Sequence, residues 1–473
     1  YTVEKIKAMV PDFGYGLFSE YLFYNHYSRP LPSGYMESWA DCVLRVTEGT
    51  LSIRKNHYIK NYLPWDESFW QHYAVGFATS MFNMHWLPPG RGLWAMGTEF
   101  IYERGAMALY NCAYTRITDN IGDDIHWLMD CSMNGVGVGF YPERNDQLEV
   151  YRPMTGNAQY FIIPDSREGW CDSAQLLIES YMSKGMAEVV FDYSQIRPAG
   201  SPIKGFGGIA SGPGPLKDFH DRVRRYFEMY ILDPDYDSVA LKTDIANAAG
   251  VCVVSGNVRR SAEIACGHID DQTFLDLKDY KKNPYRVDIG WMSNNSVLLD
   301  TPDDFDYLGE IAARVKKNGE PGYINRMNFK YGRIGKDEYA KMDYAEGINP
   351  CGEIPLENRE VCNVSETLPT RCQTPEDWYE ACRHAALYCQ TVSLLPTHQP
   401  TTNQVVARNR RTGVSIVDYT GWKHEQGLHK VISYLRKGYD VVCNTNRWAA
   451  GEAGVPASKI GRASCRERVS SPV

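Results

Sequence analysis

The sequence predicts an α/β fold with a parallel or mostly parallel sheet. From about residue 170 onward, short apolar runs alternate with capped, periodic helical stretches, the pattern of strand–helix–strand units. An apolar content of 43% and an aromatic content of 12% over 473 residues provide for a large buried core. Large α/β barrels reach this length without splitting.

In chain order, Ser38 with Asp41 reads as a capping box opening a helix whose apolar face runs from Trp39 to Glu48, with Gly49 as its stop. Pro88-Pro89-Gly90-Arg91-Gly92 is a turn, and Leu93–Met96 after it reads as a buried strand. Ala108–Tyr114 is a second candidate buried strand with Cys112 within it. Asp172 is expected to cap a helix ending near Gly185, followed by a β-rich run, Ala187–Asp192. Lys242–Val254 reads as helix, and strands are expected at Arg286–Trp291 and Ser296–Leu299. Thr374-Pro375-Glu376-Asp377 starts a strong helix: a cap, proline in the first turn and early acidic residues, with a periodic face through Tyr388 and Val392.

A formal net charge of -8 argues against a nucleic-acid polymer as partner, although nucleotides need only a local cluster of donors. No apolar run has the length of a membrane span and no signal peptide opens the chain, which starts at Tyr1 and so is expected to be incomplete there. Thirteen scattered cysteines suit reduced thiols in the cytoplasm. The sequons at Asn294 and Asn363 are then chance matches, and no Cys-x-x-Cys knuckle suggests a zinc site. The loops Asn134–Phe140, Lys204–Gly208 and Ser211–Pro215 fit either sharp turns or anion-binding amides. Arg259 and Arg260 fit either a solvated surface or a phosphate clamp.

The most informative segment is Asn349-Pro350-Cys351-Gly352-Glu353-Ile354, with Cys362 a short loop away. A lone buried cysteine is commonly core filler. A cysteine held between proline and glycine, with a carboxylate two residues on, fits a reactive thiol as readily.

Together with other segments this turn resembles ribonucleotide reductase, specifically the adenosylcobalamin-dependent class II enzyme of the monomeric, triphosphate-reducing type. The resemblance runs from about residue 18 to 450 through Arg91-Gly92-Leu93-Trp94, Asn111-Cys112, Gly135–Phe140, Pro164–Trp170, Ile196-Arg197-Pro198 and Gly205-Phe206-Gly207-Gly208. It continues through Gly256–Glu263, Ser293–Ser296, Asn318–Gly322, the Asn349–Ile354 turn and Asn409-Arg410-Arg411.

The resemblance implies a ten-stranded α/β barrel, with Cys351 at the tip of a finger loop through its centre and Cys112 and Cys362 on neighbouring inner strands. Cys351 resembles the thiyl-radical residue that abstracts the ribose 3′-hydrogen, and Cys112 with Cys362 the dithiol that closes to a disulfide. Glu353 resembles the general base at the 3′-hydroxyl, and Asn349 a group holding the ribose hydroxyls. Asn111, Gly137, Gly207 and Gly208 are implied substrate contacts. The chemistry agrees: a ribose C–H bond resists polar attack, a side chain cannot make the radical unaided, and adenosylcobalamin is the implied cofactor.

A ribonucleoside triphosphate substrate, a deoxynucleotide effector and a thioredoxin-like reductant are the implied partners, with no membrane. Glu353 and Cys362 argue against the glycyl-radical class. A diiron-class large subunit and an inactive nucleotide-binding fragment stay open. Met154–Ile163 is a candidate shortened effector loop, and most of the remaining cysteines are expected to pack. The expected organisation is a mainly helical region over 1–85, a catalytic barrel over 86–458 lacking its last strands, and a non-native tail over 459–473. Ile460–Val469 reads like a translated sequencing adapter, so the chain is expected to be cut short at its C-terminus.

Overall fold

The structure, a computed structural model, describes residues 2–14, 16–203, 208–255, 261–330 and 343–459. The tail over 460–473, Gly205-Phe206-Gly207 and the pair Arg259 and Arg260 lie outside the described residues. Two units divide the chain, residues 1–111 with 361–473, and residues 112–360.

In the first unit the expected capping box is present at Ser38 and Asp41, but the helix runs from Trp39 to Lys60. Gly49 is therefore no stop. It lies where an added Cβ would come within 2.5 Å of the Gly97 backbone, so it permits a close approach rather than ending the helix. Strand β1 is Trp86–Leu87. The Leu93–Met96 run is not a strand: Gly90–Ala95 is a short helix that buries Leu93 and Ala95. A four-residue apolar run is too short for its period to separate the two states.

The second unit carries β2 (Cys112–Ile117), β3 (Gly137–Pro142), β4 (Met154–Ile162), β5 (Ala187–Asp192), β6 (Glu263–His268), β7 (Ser293–Leu299) and β8 (Gly322–Asn325). The hairpin strands β9 (Gly347–Ile348) and β10 (Pro355–Leu356) follow. Strands β2-β3-β6-β7-β8 pair in that order and all in parallel. Helices Ile121–Met133 and Leu308–Asn318 make crossovers, and Ser238–Val254 leads into β6. The α/β expectation holds here, with the strand at 108–114 beginning only at Cys112 after a 3-10 turn, Ala106–Leu109.

Strands β4 and β5 form a separate parallel pair. The intervening helix is Arg167–Met182, capped by Ser166 rather than by Asp172, because the Ser166 hydroxyl accepts from the Gly169 N–H. Met154–Ile163 is thus largely strand, not a loop. Arg286–Trp291 is also not a strand but part of two 3-10 turns. There the fully buried Arg286 pairs with Asp244 at 2.6 Å and donates to Asn247 Oδ1 at 3.0 Å. Asn247 Nδ2 in turn donates to Glu263 Oε2 at 3.0 Å. Burial pushes the Glu263 carboxyl up to about 8 against that hydrogen bond.

The chain returns to the first unit in β11 (Glu360–Thr367) and β12 (Thr412–Ile416), with β11 antiparallel to β1 and parallel to β12. The helix Pro375–Val392 opens on the expected cap at Thr374, which forms a capping box with Asp377, and it buries Cys382 and Cys389.

Candidate active site

The segment from Gly347 to Leu356 is a finger. Its strands β9 and β10 pair antiparallel, Ile348 opposite Pro355 and Gly347 opposite Leu356. The tip closes by backbone bonds, Asn349 N–H to Ile354 O at 3.1 Å and Gly352 N–H to Asn349 O at 2.8 Å. Gly352 sits at φ +78°, a left-handed conformation that a side chain would strain. Asn349 is fully buried and both ends of its carboxamide are engaged. Its Oδ1 accepts from the Ile354 N–H at 2.9 Å, and its Nδ2 donates to Cys112 Sγ at 3.4 Å. The Cys351 thiol is exposed at the tip, and Glu353 is partly buried beside it.

The sheet accommodates this finger because one face of β3 has no side chains along half its length. Pairing of Cys112 with Gly137 and Tyr114 with Gly139 puts these four residues on one face. An added Cβ on Gly139 would stand 1.8 Å from Ile348 O, and one on Gly137 would stand 3.1 Å from Pro350 Cγ. On the finger itself, a Cβ on Gly347 would come within 1.9 Å of the Tyr114 ring. Ile348 packs with Ile264, Cys266 and Leu298 from β6 and β7. The glycine-rich Asn134–Phe140 segment is therefore a passage for the finger: its Gly135 ends a helix and its Gly137 and Gly139 clear the way.

Cys362 is fully buried in β11 of the first unit. Its carbonyl accepts from the Asn111 N–H at 3.0 Å, and Asn111 Oδ1 accepts from the Val364 N–H at 3.0 Å. Asn111 thus uses its side chain to hold β11, immediately before Cys112 in the chain. Gly208 lies on a different loop, where its carbonyl accepts from the Ile203 N–H at 2.9 Å. Gly207 lies outside the described residues. Burial pushes the thiols of Cys42, Cys266 and Cys389 up to about 12, so at neutral pH they stay protonated and pack as apolar groups.

An open cleft lies elsewhere in the second unit, lined by Asp165, Ser166, Arg167, Trp170, Arg197 and Ile209 among others. Arg167 pairs with Asp130 and Glu168, and Arg197 with Asp165. Residues that sequence reasoning missed cluster at the finger: Gly139, Gly347, Tyr114, Arg116 and Arg326. A signal for one existed, since glycines two apart inside a strand mark a close backbone approach.

Comparison with known proteins gives two family matches. Residues 1–98 match a family described as "Ribonucleotide reductase alpha domain", and residues 143–225 match "B12-dependent ribonucleotide reductase, insertion domain". The second match contains β4, the helix after it and β5. The adenosylcobalamin-dependent ribonucleoside-triphosphate reductase of Euglena gracilis is 39% identical over 459 residues, covering 94% of this chain and 62% of that protein. A probable enzyme of the same name from Dictyostelium discoideum is 37% identical, covering 93% and 60%. That of Lacticaseibacillus paracasei is 30% identical, covering 86% and 62%. The chain thus spans about 60% of the length of these relatives. A crystal structure of a B-12 dependent (class II) ribonucleotide reductase matches in fold with a TM-score of 0.81 at 24% identity, over 98% of this chain and 76% of that one. Among the described residues no helix is long and apolar enough to cross a membrane.

Proposed function

Since the chain belongs to the adenosylcobalamin-dependent ribonucleotide reductase family, we propose that it carries the chemistry that reduces ribonucleoside triphosphates to 2′-deoxyribonucleotides. One observation carries the reading: a buried finger base lifts Cys351 to an exposed tip, while Asn349 in the same turn bonds the Cys112 thiol at 3.4 Å. The diiron-class reading is not favoured, because the insertion-domain match and the named relatives are of the B12-dependent type.

In this reading Cys351 is the thiyl residue that takes the ribose 3′-hydrogen and later returns it. Glu353 holds the 3′-hydroxyl proton as general base, which helps the 2′-hydroxyl leave as water. Cys112 and Cys362 supply two electrons and two protons and become a disulfide, which a thioredoxin-like dithiol reduces by exchange. Asn349 positions: its amide is committed to Ile354 and Cys112, so contact with the ribose hydroxyls requires it to exchange partners. The finger belongs at the centre of a ten-stranded barrel, of which β2, β3, β6, β7 and β8 are one parallel half.

Adenosylcobalamin, when bound, supplies a carbon-centred radical by cobalt–carbon homolysis. The exposed thiol at the finger tip fits an external radical source, and Cys351 is the residue that would face it. A deoxynucleotide effector is assigned to the open cleft beside Trp170 and Ile209, where Arg167 and Arg197 would exchange their carboxylate partners for phosphate. The reducing cytoplasm suits a cycle built on thiols.

The test is anaerobic incubation of the chain with a ribonucleoside triphosphate, adenosylcobalamin and a dithiol reductant. Deoxynucleotide formation that vanishes in Cys351→Ser is the expected result. Activity that ignores cobalamin but needs a second, radical-supplying protein would move the chain to the diiron class. Nucleotide binding without turnover under every reductant would leave a binding fragment.

A further inference from the structure

The finger is held at its base by charges that no catalytic step uses. Arg326, just after β8, grips Asp300 at the end of β7 with both faces of its fork, Nε to Oδ1 at 2.5 Å and Nη2 to Oδ2 at 2.6 Å. Its third donor, Nη1, bonds the Glu346 carbonyl at 3.1 Å. Glu346 is the residue before β9, and its N–H closes the finger on Leu356 O at 2.9 Å. From the other side Arg116 of β2 pairs with the Glu346 carboxylate at 3.2 Å and donates to Glu143 at 2.8 Å.

We propose that Arg326 and Arg116 are positioning residues that act through Glu346 to set the depth at which the finger stands, and hence where Cys351 projects. The inference rests on the functional reading of Cys351 given above. Above this clamp the finger is joined to the sheet by the Asn349–Cys112 bond and by Ile348 packed against Ile264, Cys266 and Leu298. Gly137, Gly139 and Gly347 remove side-chain contacts along the passage, so the charged clamp at the base adds to those two attachments in fixing the finger's height. A radical transfer requires reacting atoms within about 3–3.5 Å, so an unanchored hairpin lowers the rate even with every catalytic group present.

The clamp also has a titratable member. Burial raises the Glu346 carboxyl above its ordinary range, opposed by Arg116 and Arg326 and reinforced by Glu143 and Glu357. Tyr114, packed on Gly347, also faces it. Protonation discharges the Arg116 pair while leaving the Arg326 bond to the Glu346 carbonyl.

Hydrogen exchange and Cys351 alkylation test this without depending on turnover. In Arg326→Met the amides of Ile354 and Asn349 should exchange at least tenfold faster and Cys351 should alkylate at a changed rate, while Val138 and Ala265 in the sheet keep their protection. Arg326→Lys should restore part of the protection through charge alone. In Glu346→Gln, which keeps the shape, the fall in finger protection that the parent shows on acidification should disappear. The proposal is overturned if finger amides in folded Arg326→Met exchange as in the parent, if all sheet amides accelerate equally, or if Glu346→Gln keeps the parent pH profile. Loss of turnover in Cys351→Ser with an unchanged finger would separate the functional reading from the clamp.

Discussion

The side-chain amide of Asn349 joins the finger to the sheet, with Nδ2 donating to Cys112 Sγ at 3.4 Å and Oδ1 accepting from the Ile354 N–H at 2.9 Å. One carboxamide thereby fixes the turn that carries Cys351 and orients a thiol proposed to reduce the substrate. Removing it leaves a buried amide donor unmet, a loss of about 1–3 kcal/mol. Asn349→Ala should speed exchange of the Ile354 amide by roughly 10–100-fold. Asn349→Asp keeps the acceptor and loses the donor, so it should restore Ile354 protection while changing the alkylation rate of Cys112. Equal effects of both variants on both probes would show that the amide does not link the two.

Gly139 and Gly137 share a face but differ in clearance, 1.8 Å to Ile348 O against 3.1 Å to Pro350 Cγ. Gly139→Ala should displace the finger, cost about 2 kcal/mol or more of stability by overpacking, and abolish any reductase activity. Gly137→Ala needs only a small yield of the proline ring and should cost less than about 1 kcal/mol. Urea titration ranks the two, and reversal of that order would mean that the finger does not lie over β3 as described.

Glu263 gives a pH dependence of defined sign. Its carboxyl is raised to about 8 when folded, against an ordinary value near 4.5. Between those values the unfolded chain has released the proton that the folded chain keeps. Stability from this group is therefore full below about pH 4.5 and declines as pH rises to about 8. Glu263→Gln, which cannot ionise, should flatten that part of the profile of melting temperature against pH. An unchanged slope in the variant would assign the titration elsewhere.

The proposed dithiol predicts a distinction among cysteines. Cys112→Ser and Cys362→Ser should each stop turnover with a dithiol reductant, and peptide mapping after reaction without reductant should recover a Cys112–Cys362 disulfide. Cys389→Ser should change stability alone, since Cys389 is buried and its thiol is pushed up to about 12. Recovery of another disulfide would redirect the assignment.

Much of this was legible in the sequence because it is written in local signals. The capping box at Ser38 and the cap at Thr374 act within four residues, and both are present. The β-rich run Ala187–Asp192 became β5 with those bounds. Where local signals are ambiguous the structure differs from the expectation: Leu93–Met96 has no resolvable period, and Arg286–Trp291 is bent into turns where the buried Arg286 pairs with Asp244. Residue identity and order survive in any conformation, so the sequence alone carries the resemblance to the family and the α/β pattern, and it marks Asn349, Cys351, Glu353, Cys112 and Cys362 as candidates. The clearance that Gly137 and Gly139 leave for the finger, the reach of Asn349 to Cys112, and the meeting of Arg326 and Arg116 on Glu346 arise from the folded packing alone. Those relationships join residues 20 to 237 positions apart, and only the packing of the sheet against the finger brings them within bonding range.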